Sequence, residues 1–160
     1  EPLVVQAAAL GWRVQVFDHR EPFAEPGRFP CATAVHLVDY ASFDLAPLAV
    51  DDRSALLLMT HQFLHDRALL ERWLVLRGAY LGVLGPRRRL ERLLEELERD
   101  GVRPSDPARR RLHGPVGLDI GSETPAEIAL SALAEIQAVV AGGEGGSLRD
   151  ADRPLHRWPR

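Results

Sequence analysis

The chain has 160 residues, with 20 basic and 23 acidic side chains and a formal net charge of -3 at pH 7. This length is sufficient for one domain with its own hydrophobic core, and the balance of charge predicts no general attraction to nucleic acid or to anionic lipid. The single cysteine, Cys31, cannot form an internal disulfide, and no run approaches the roughly 18 apolar residues that a membrane span needs. These features favour a cytoplasmic location and exclude membrane and nucleic-acid partners from our expectations.

The first part of the chain predicts a helix, a strand and a loop. Residues 3–10 place apolar side chains on one helical face, and Gly11 is suited to end that helix. Residues 12–17 then alternate as a strand does and stop at Asp18. Residues 18–34 are rich in proline and glycine, which predicts a loop.

The central part of the chain alternates further strands with helices. Short apolar runs predict strands at residues 35–38, 54–59 and 80–84, and leucines at helical spacing predict helices over residues 63–76 and 87–101. Elements that alternate in this way indicate a mostly parallel sheet covered on both faces, with right-handed crossovers.

The last predicted helix has the strongest local signals. Thr124 and Glu127 have the spacing of a capping box, and Pro125 falls at the first helical position. The apolar stripe that follows stops at a pair of glycines. We therefore expect a domain over residues 1–142 and a flexible tail over residues 143–160.

Asp18 is the first candidate for ligand binding. It ends a strand that follows an amphipathic helix, where a dinucleotide-binding fold holds the acid that hydrogen-bonds a ribose hydroxyl. That acid normally lies about 20 residues after a glycine-rich phosphate loop, so the count predicts that the first strand and the glycine loop are missing from the N-terminus. The alternative is that Asp18 only caps a strand end.

Three polar residues follow the second clear strand. Ligands bind beyond the carboxyl ends of parallel strands, so Thr60 and His61 are placed to meet one, and Asp66 to orient a neighbour. His61 and His65 have the spacing of a helical metal pair, but no third ligand is evident, and we predict no metal site. A structural role for His61 in its loop is the alternative.

A run of three arginines, Arg87, Arg88 and Arg89, lies at a predicted helix start, where cations oppose the helix dipole. Gly85 permits close backbone approach and the helix start offers free N–H groups, so this segment predicts a site for phosphate or a pterin phosphate. The alternative is intrahelical pairing, such as Arg87 with Glu91, on a solvated face.

The segment 113–136 is the most distinctive in the chain. Its glycines permit an irregular path, with Asp119 and Glu123 beside it, and such a loop would deliver polar groups to the helix start. The alternative is a connector that only feeds a well-capped helix.

Five segments resemble, in order, the Rossmann-like C-terminal domain of the XdhC/CoxI family of xanthine dehydrogenase accessory factors. They are LGWRVQVFDHR, RFP, LLLMTHQFLHD, YLGVLGPRRR and GPVGLDIGSETPAEIALSALAEI. The resemblance covers most of residues 3–140, and the last two segments are its most specific part. It implies an α/β fold, a Rossmann-like three-layer sandwich.

The resemblance also implies a function in maturation rather than in metabolic turnover. Such a factor binds molybdenum cofactor (molybdopterin), protects it during sulfuration, and hands it to the apo form of xanthine dehydrogenase or a related molybdenum hydroxylase. Self-association as a homodimer and work with a cysteine desulfurase are implied as well. Nothing here matches the family's cysteine-containing second domain. The implied cofactor-binding residues are Asp18, Arg20, Thr60, His61, Asp66, Gly85, Arg87, Arg88, Asp119 and Glu123.

Two other functions stay open at this point. An NAD(P)-binding oxidoreductase is one, because this fold commonly holds nicotinamide nucleotides. The other is a non-catalytic protein-interaction module, in which the sheet has lost its ligand and serves as a docking surface.

Overall fold

The computed structural model describes residues 1–150, and the rest of the predicted tail, residues 151–160, lies outside the described residues. Helices and strands alternate along most of the chain, which confirms the predicted α/β class. In chain order they are α1 Pro2–Ala9, β1 Gln15–Asp18, β2 Ala34–Leu37, β3 Ala55–Leu58, α2 Phe63–Trp73, β4 Tyr80–Val83, α3 Arg87–Arg99, α4 Asp106–Arg111, β5 Leu112–His113 and α5 Pro125–Ala141.

The strands form two parallel ladders. β1 pairs with β2 in a register that runs from Gln15 opposite Ala34 to Asp18 opposite Leu37. The other ladder has the order β3-β4-β5, and both of its pairings are parallel. Among residues 1–150 β1 pairs only with β2 and β3 only with β4, so each of these strands has one edge without a strand partner. The parallel pairing was predicted, and the described strands form two separate sheets.

Apolar side chains cover both faces of the sheet. β3 contributes Leu56 and Leu58 to one cluster of buried side chains and Ala55 and Leu57 to a second. Because alternate residues of a strand point to opposite faces, the two clusters lie on opposite sides of β3. Residues of α2 and α3 complete the first cluster, and residues of α1 and α5 complete the second. The layers are therefore helix, sheet and helix.

Helix α5 begins and ends as predicted. The Thr124 hydroxyl accepts from the N–H of Glu127 over 3.3 Å, and the Glu127 carboxylate accepts from the N–H of Thr124 over 2.8 Å. Gly142 follows the helix with a left-handed φ of 63°. At 17 residues α5 is the longest helix among the described residues. None of the helices in residues 1–150 has the length and apolar character needed to cross a membrane.

The sequence analysis did not predict α4 or β5. Helix α4 has six residues and is capped by Ser105, whose hydroxyl accepts from the N–H of Ala108 over 3.4 Å. β5 has only two residues, which pair with β4. Neither element is long enough to show a hydrophobic period, so pattern alone does not reveal them.

Candidate functional site

Most of the predicted site residues follow the carboxyl ends of the strands. Asp18 ends β1, Thr60 and His61 follow β3, and Gly85 follows β4. Asp119 lies in the long loop between β5 and α5. Because paired strands are parallel, the loops after β1 and β2 leave one edge of their ladder, and the loops after β3, β4 and β5 leave the corresponding edge of the other. We call this region the carboxyl edge.

Asp18 forms a closed ion pair with Arg20. The guanidinium donates from Nε to Oδ1 over 3.0 Å and from Nη2 to Oδ2 over 2.9 Å, and the backbone N–H of Arg20 donates to Oδ1 over 2.9 Å. Burial alone would raise the pKa of Asp18, but the hydrogen bonds and charge of Arg20 outweigh it and hold that pKa below its usual value. These two predicted residues therefore lie together.

The buried carboxylate of Asp66 connects the loop after β3 to the first turn of α3. Its side chain is 1% exposed, and it accepts from Thr60 Oγ1 over 2.6 Å. It also accepts from Arg89, from Nε over 3.0 Å and from Nη2 over 2.7 Å. The Arg89 side chain packs against Gly85, where a Cβ atom would lie 2.9 Å from Arg89 Cδ. Asp66 thus hydrogen-bonds both Thr60 and Arg89.

Arg87 and Arg88 are not part of this network. The Arg87 side chain is 81% exposed, and its Nε lies 2.9 Å from Glu91 Oε1 in an ion pair between successive helical turns. Arg88 is exposed and forms no ion pair within residues 1–150. Neither arginine contacts Asp18 in that range. The intrahelical alternative accounts for Arg87, and the structure does not bring these arginines together with the acid of β1.

The remaining predicted residues are separate from these contacts. His61 precedes α2, is exposed, and has a left-handed φ of 59°. Asp119 and Glu123 are also exposed. In the described part of the chain, none of the three side chains contacts Asp18 or Asp66.

Three aromatic side chains beside Asp18 form a cluster that the sequence analysis did not assign to the site. The ring of His19 lies 4.5 Å from that of His65 and 5.1 Å from that of Tyr40. Both histidine Nδ1 atoms are buried without a hydrogen-bond partner among the described residues; His19 Nδ1 is 3.5 Å from Asp18 Oδ1 but lacks hydrogen-bond geometry. Burial raises the pKa of Tyr40 to about 12. The spacing of these residues in the sequence does not predict the cluster, because His19 follows β1, Tyr40 follows β2 and His65 lies in α2.

Glu135 of α5 holds the loop after β5. Its carboxylate accepts from the N–H of Gly117 over 2.8 Å and from the Tyr80 hydroxyl. His113 Nδ1 lies 3.3 Å from the same carboxylate, and its ring stacks on Tyr80 with centroids 4.2 Å apart. Burial and the adjacent Glu135 raise the pKa of Tyr80. This network fixes the start of the distinctive glycine-containing segment.

Within residues 1–150 no three or more histidine, cysteine, aspartate or glutamate side chains are placed to hold a metal ion. A cavity of about 540 Å³ opens between the end of α2, the segment after α3 and the start of α4, lined among others by Leu74, Val102 and Pro107. It includes none of the predicted site residues.

Parallel strands covered by helices on both faces, with an acid at the end of β1, define a Rossmann-like domain. A comparison with known families gives the specific assignment. The profile of the XdhC Rossmann domain matches residues 1–136, and the chain belongs to this family.

Relatives of the chain include two bacterial proteins and one solved structure. The chain is 36% identical over 148 residues to the uncharacterized protein YqeB of Escherichia coli (strain K12), covering 92% of this chain and 27% of YqeB. It is 32% identical over 135 residues to a probable xanthine dehydrogenase subunit of Bacillus subtilis (strain 168), covering 84% of this chain and 38% of that protein.

One solved structure that resembles the chain is the crystal structure of a xanthine dehydrogenase from Bacillus halodurans. It superposes with a TM-score of 0.75 and 32% identity, covering 88% of this chain and 41% of that one. The chain thus spans well under half the length of each of these relatives.

Proposed function

We propose that this domain serves the maturation of xanthine dehydrogenase or a related molybdenum hydroxylase, within an accessory factor that binds the molybdenum cofactor. The observation that carries the proposal is family membership over residues 1–136. The names of the Bacillus subtilis and Bacillus halodurans relatives support the link to that enzyme. On this proposal the chain acts by binding and transfer, and the apo hydroxylase is its partner.

The carboxyl edge supports a ligand of this chemistry. Molybdopterin combines a polar fused ring with a phosphate, and in some forms it carries a nucleotide. The buried Nδ1 atoms of His19 and His65 have no partner in the described part, and a buried polar group without a partner is a place for a polar ligand atom. Arg20 and Thr60 lie at the same edge. When bound, the cofactor supplies the molybdenum chemistry of the client enzyme; these side chains would hold it and exclude water.

The partners implied by the family resemblance belong to the same proposal. They are a second copy of the chain in a homodimer and a cysteine desulfurase. A cytoplasmic location is also proposed, and it is supported by the single, exposed Cys31, because proteins that lack disulfides are typical of reducing compartments.

The test uses the full-length protein that contains this domain. It is incubated with molybdopterin released from a denatured molybdenum enzyme, passed over a sizing column, and assayed for bound pterin by the fluorescence of its oxidised form. We expect retained pterin, and activation of apo xanthine dehydrogenase when the loaded protein is added.

Two variants locate the binding site in the same assay. Arg20→Ala should weaken retention, whereas the exposed control Arg87→Ala should leave it unchanged. Unchanged pterin retention in both variants would contradict the placement of the cofactor site at the carboxyl edge. Absence of retained pterin in the parent protein, or steady hydride transfer from NADH or NADPH to an acceptor, would contradict the proposed function.

A further inference from the structure

We infer that the cavity between α2 and α4 binds a small organic carboxylate that has an apolar body. The cavity, of about 540 Å³, lies among residues that precede β4 and β5, at the end of α2 and in the connection from α3 to β5. Parallel strands begin at one edge of their ladder and end at the other, so this amino edge is opposite the carboxyl edge. The inference is therefore independent of the proposed function.

Apolar side chains form much of the cavity wall. They belong to Leu74, Val75, Leu76, Val102, Pro104 and Pro107. The side chain of Val75 is 82% exposed, and a ligand in the cavity would remove part of this apolar surface from water. Sites for small molecules typically measure about 300–1,000 Å³ and combine apolar walls with a few polar groups. The cavity therefore has the size and the walls for a ligand with an apolar body.

The charged residues that line the cavity are three arginines and one glutamate, which favours an anion. Arg103 pairs with Glu98 over 2.8 Å, and Glu71 pairs with Arg67 over 3.6 Å. Arg77 is exposed, and its side chain makes no hydrogen bond or ion pair within residues 1–150. All five of its N–H donors are therefore open to a ligand, and their planar fork matches a carboxylate.

Arg111 supplies a second positive charge that no acid balances. Its Nη1 donates to the carbonyl oxygens of Leu76 over 2.6 Å and of Gly78 over 2.7 Å, and its Nε donates to that of Pro107 over 3.3 Å. These acceptors are neutral, and the guanidinium forms no ion pair with any carboxylate in the described part of the chain. The backbone thus holds the charge at the cavity wall without neutralising it, and a cleft with an excess of one charge attracts ligands of the other.

The test is a calorimetric titration of the full-length protein with 1-naphthaleneacetate and with its neutral amide, 1-naphthaleneacetamide. The two probes share the same apolar ring system and differ in the charge of the polar group. We expect the carboxylate to bind at least about tenfold more tightly than the amide, because only the carboxylate forms a charge-assisted pair with Arg77. Equal affinity of the two probes, or no binding of the carboxylate, would overturn the inference.

Three variants locate the binding of the carboxylate in the same titration. Arg77→Gln should weaken it about tenfold and leave the affinity for the amide unchanged, and Val75→Ser should weaken the binding of both probes alike. Arg88→Gln is the matched control, because Arg88 is also exposed and forms no ion pair within residues 1–150, but it lies at the carboxyl edge; it should change neither affinity. The inference is wrong if Arg77→Gln binds the carboxylate as the parent does, or if Arg88→Gln weakens that binding as much as Arg77→Gln does.

Discussion

Replacing Asp66 by alanine should be among the most damaging single changes at the carboxyl edge. The carboxylate is 1% exposed and accepts hydrogen bonds from Thr60 and from two nitrogen atoms of Arg89. Its removal leaves the Arg89 guanidinium, which is 22% exposed, without its counter-ion. Breaking a buried ion pair on one side costs about 3–5 kcal/mol. We expect about 3 kcal/mol, the lower end, because Arg89 retains some contact with water.

Arg87→Ala is the matched control, because it removes an arginine from the same helical turn. Its pair with Glu91 is largely solvent-exposed, with side chains 81% and 55% exposed. Exposed helical pairs contribute about 0.3–0.5 kcal/mol. The expected difference between the two variants is therefore about 2.5 kcal/mol in the free energy of unfolding, which urea denaturation of the 160-residue chain followed by circular dichroism can resolve.

A double variant tests whether the cost arises from the unpaired charge. Replacing Asp66 by leucine and Arg89 by methionine removes both charges, and such replacements are often close to neutral. We expect the double variant to be at least about 1.5 kcal/mol more stable than Asp66→Ala. Equal stability of Asp66→Ala and Arg87→Ala, or a double variant as unstable as Asp66→Ala, would contradict a cost that arises from the unpaired charge.

Three further predictions follow from individual contacts. Gly117→Ala should lower the free energy of unfolding, measured by urea denaturation, by about 1–3 kcal/mol, because φ is 111° and a Cβ would overlap a serine of α5. Gly121→Ala, at φ 72° with open space around it, should lower it less. Equal losses in the two variants would contradict the steric explanation. Burial raises the pKa of both tyrosines, that of Tyr40 to about 12, so little tyrosinate should absorb near pH 10 in the folded chain, and stability should fall as pH rises above about 10. An ordinary tyrosine titration would refute this. The pKa of Asp18 is lowered in the folded chain, so the ionised side chain stabilises the fold above about pH 4 and this stabilisation is lost as pH falls through the folded pKa. The urea midpoint of Asp18→Asn should therefore change less with acidification than that of the parent. The same change of midpoint with pH in both proteins would count against the Arg20 pair.

Elements with a complete local signal were predictable from the sequence. Helix α5 combines a capping box, a proline at its first position and a terminal glycine, and the structure has all three. β1 and β3 were predicted within a few residues of their observed bounds. The first alternates as a strand does, and the second is a short apolar run bounded by polar loops. These signals require only neighbours in sequence.

The Asp66–Arg89 contact was not predicted, although part of its signal was present. Arg89, Leu93 and Leu97 recur every four residues, so Arg89 lies on the buried stripe of α3. Asp66 lies on the buried stripe of α2 in the same way. A charged residue on a buried apolar stripe needs an oppositely charged partner, but the sequence does not predict which of its many arginines is the partner of Asp66. Of the three arginines in the run, Arg89 differs from its neighbours in its position on the apolar stripe, which the sequence shows.

The contacts of the carboxyl edge depend on how α2 joins the two ladders. His65 packs against His19 and Tyr40, which lie at the ends of β1 and β2. The next residue, Asp66, binds Thr60 and Arg89 beside β3 and β4. Adjacent residues on a helix point about 100° apart, so one turn of α2 contacts residues that follow strands of both ladders. A ligand that reached both Asp18 and Thr60 would therefore contact side chains whose positions are set by the same helical turn. A small movement of that turn would shift the side chains on both sides of the site.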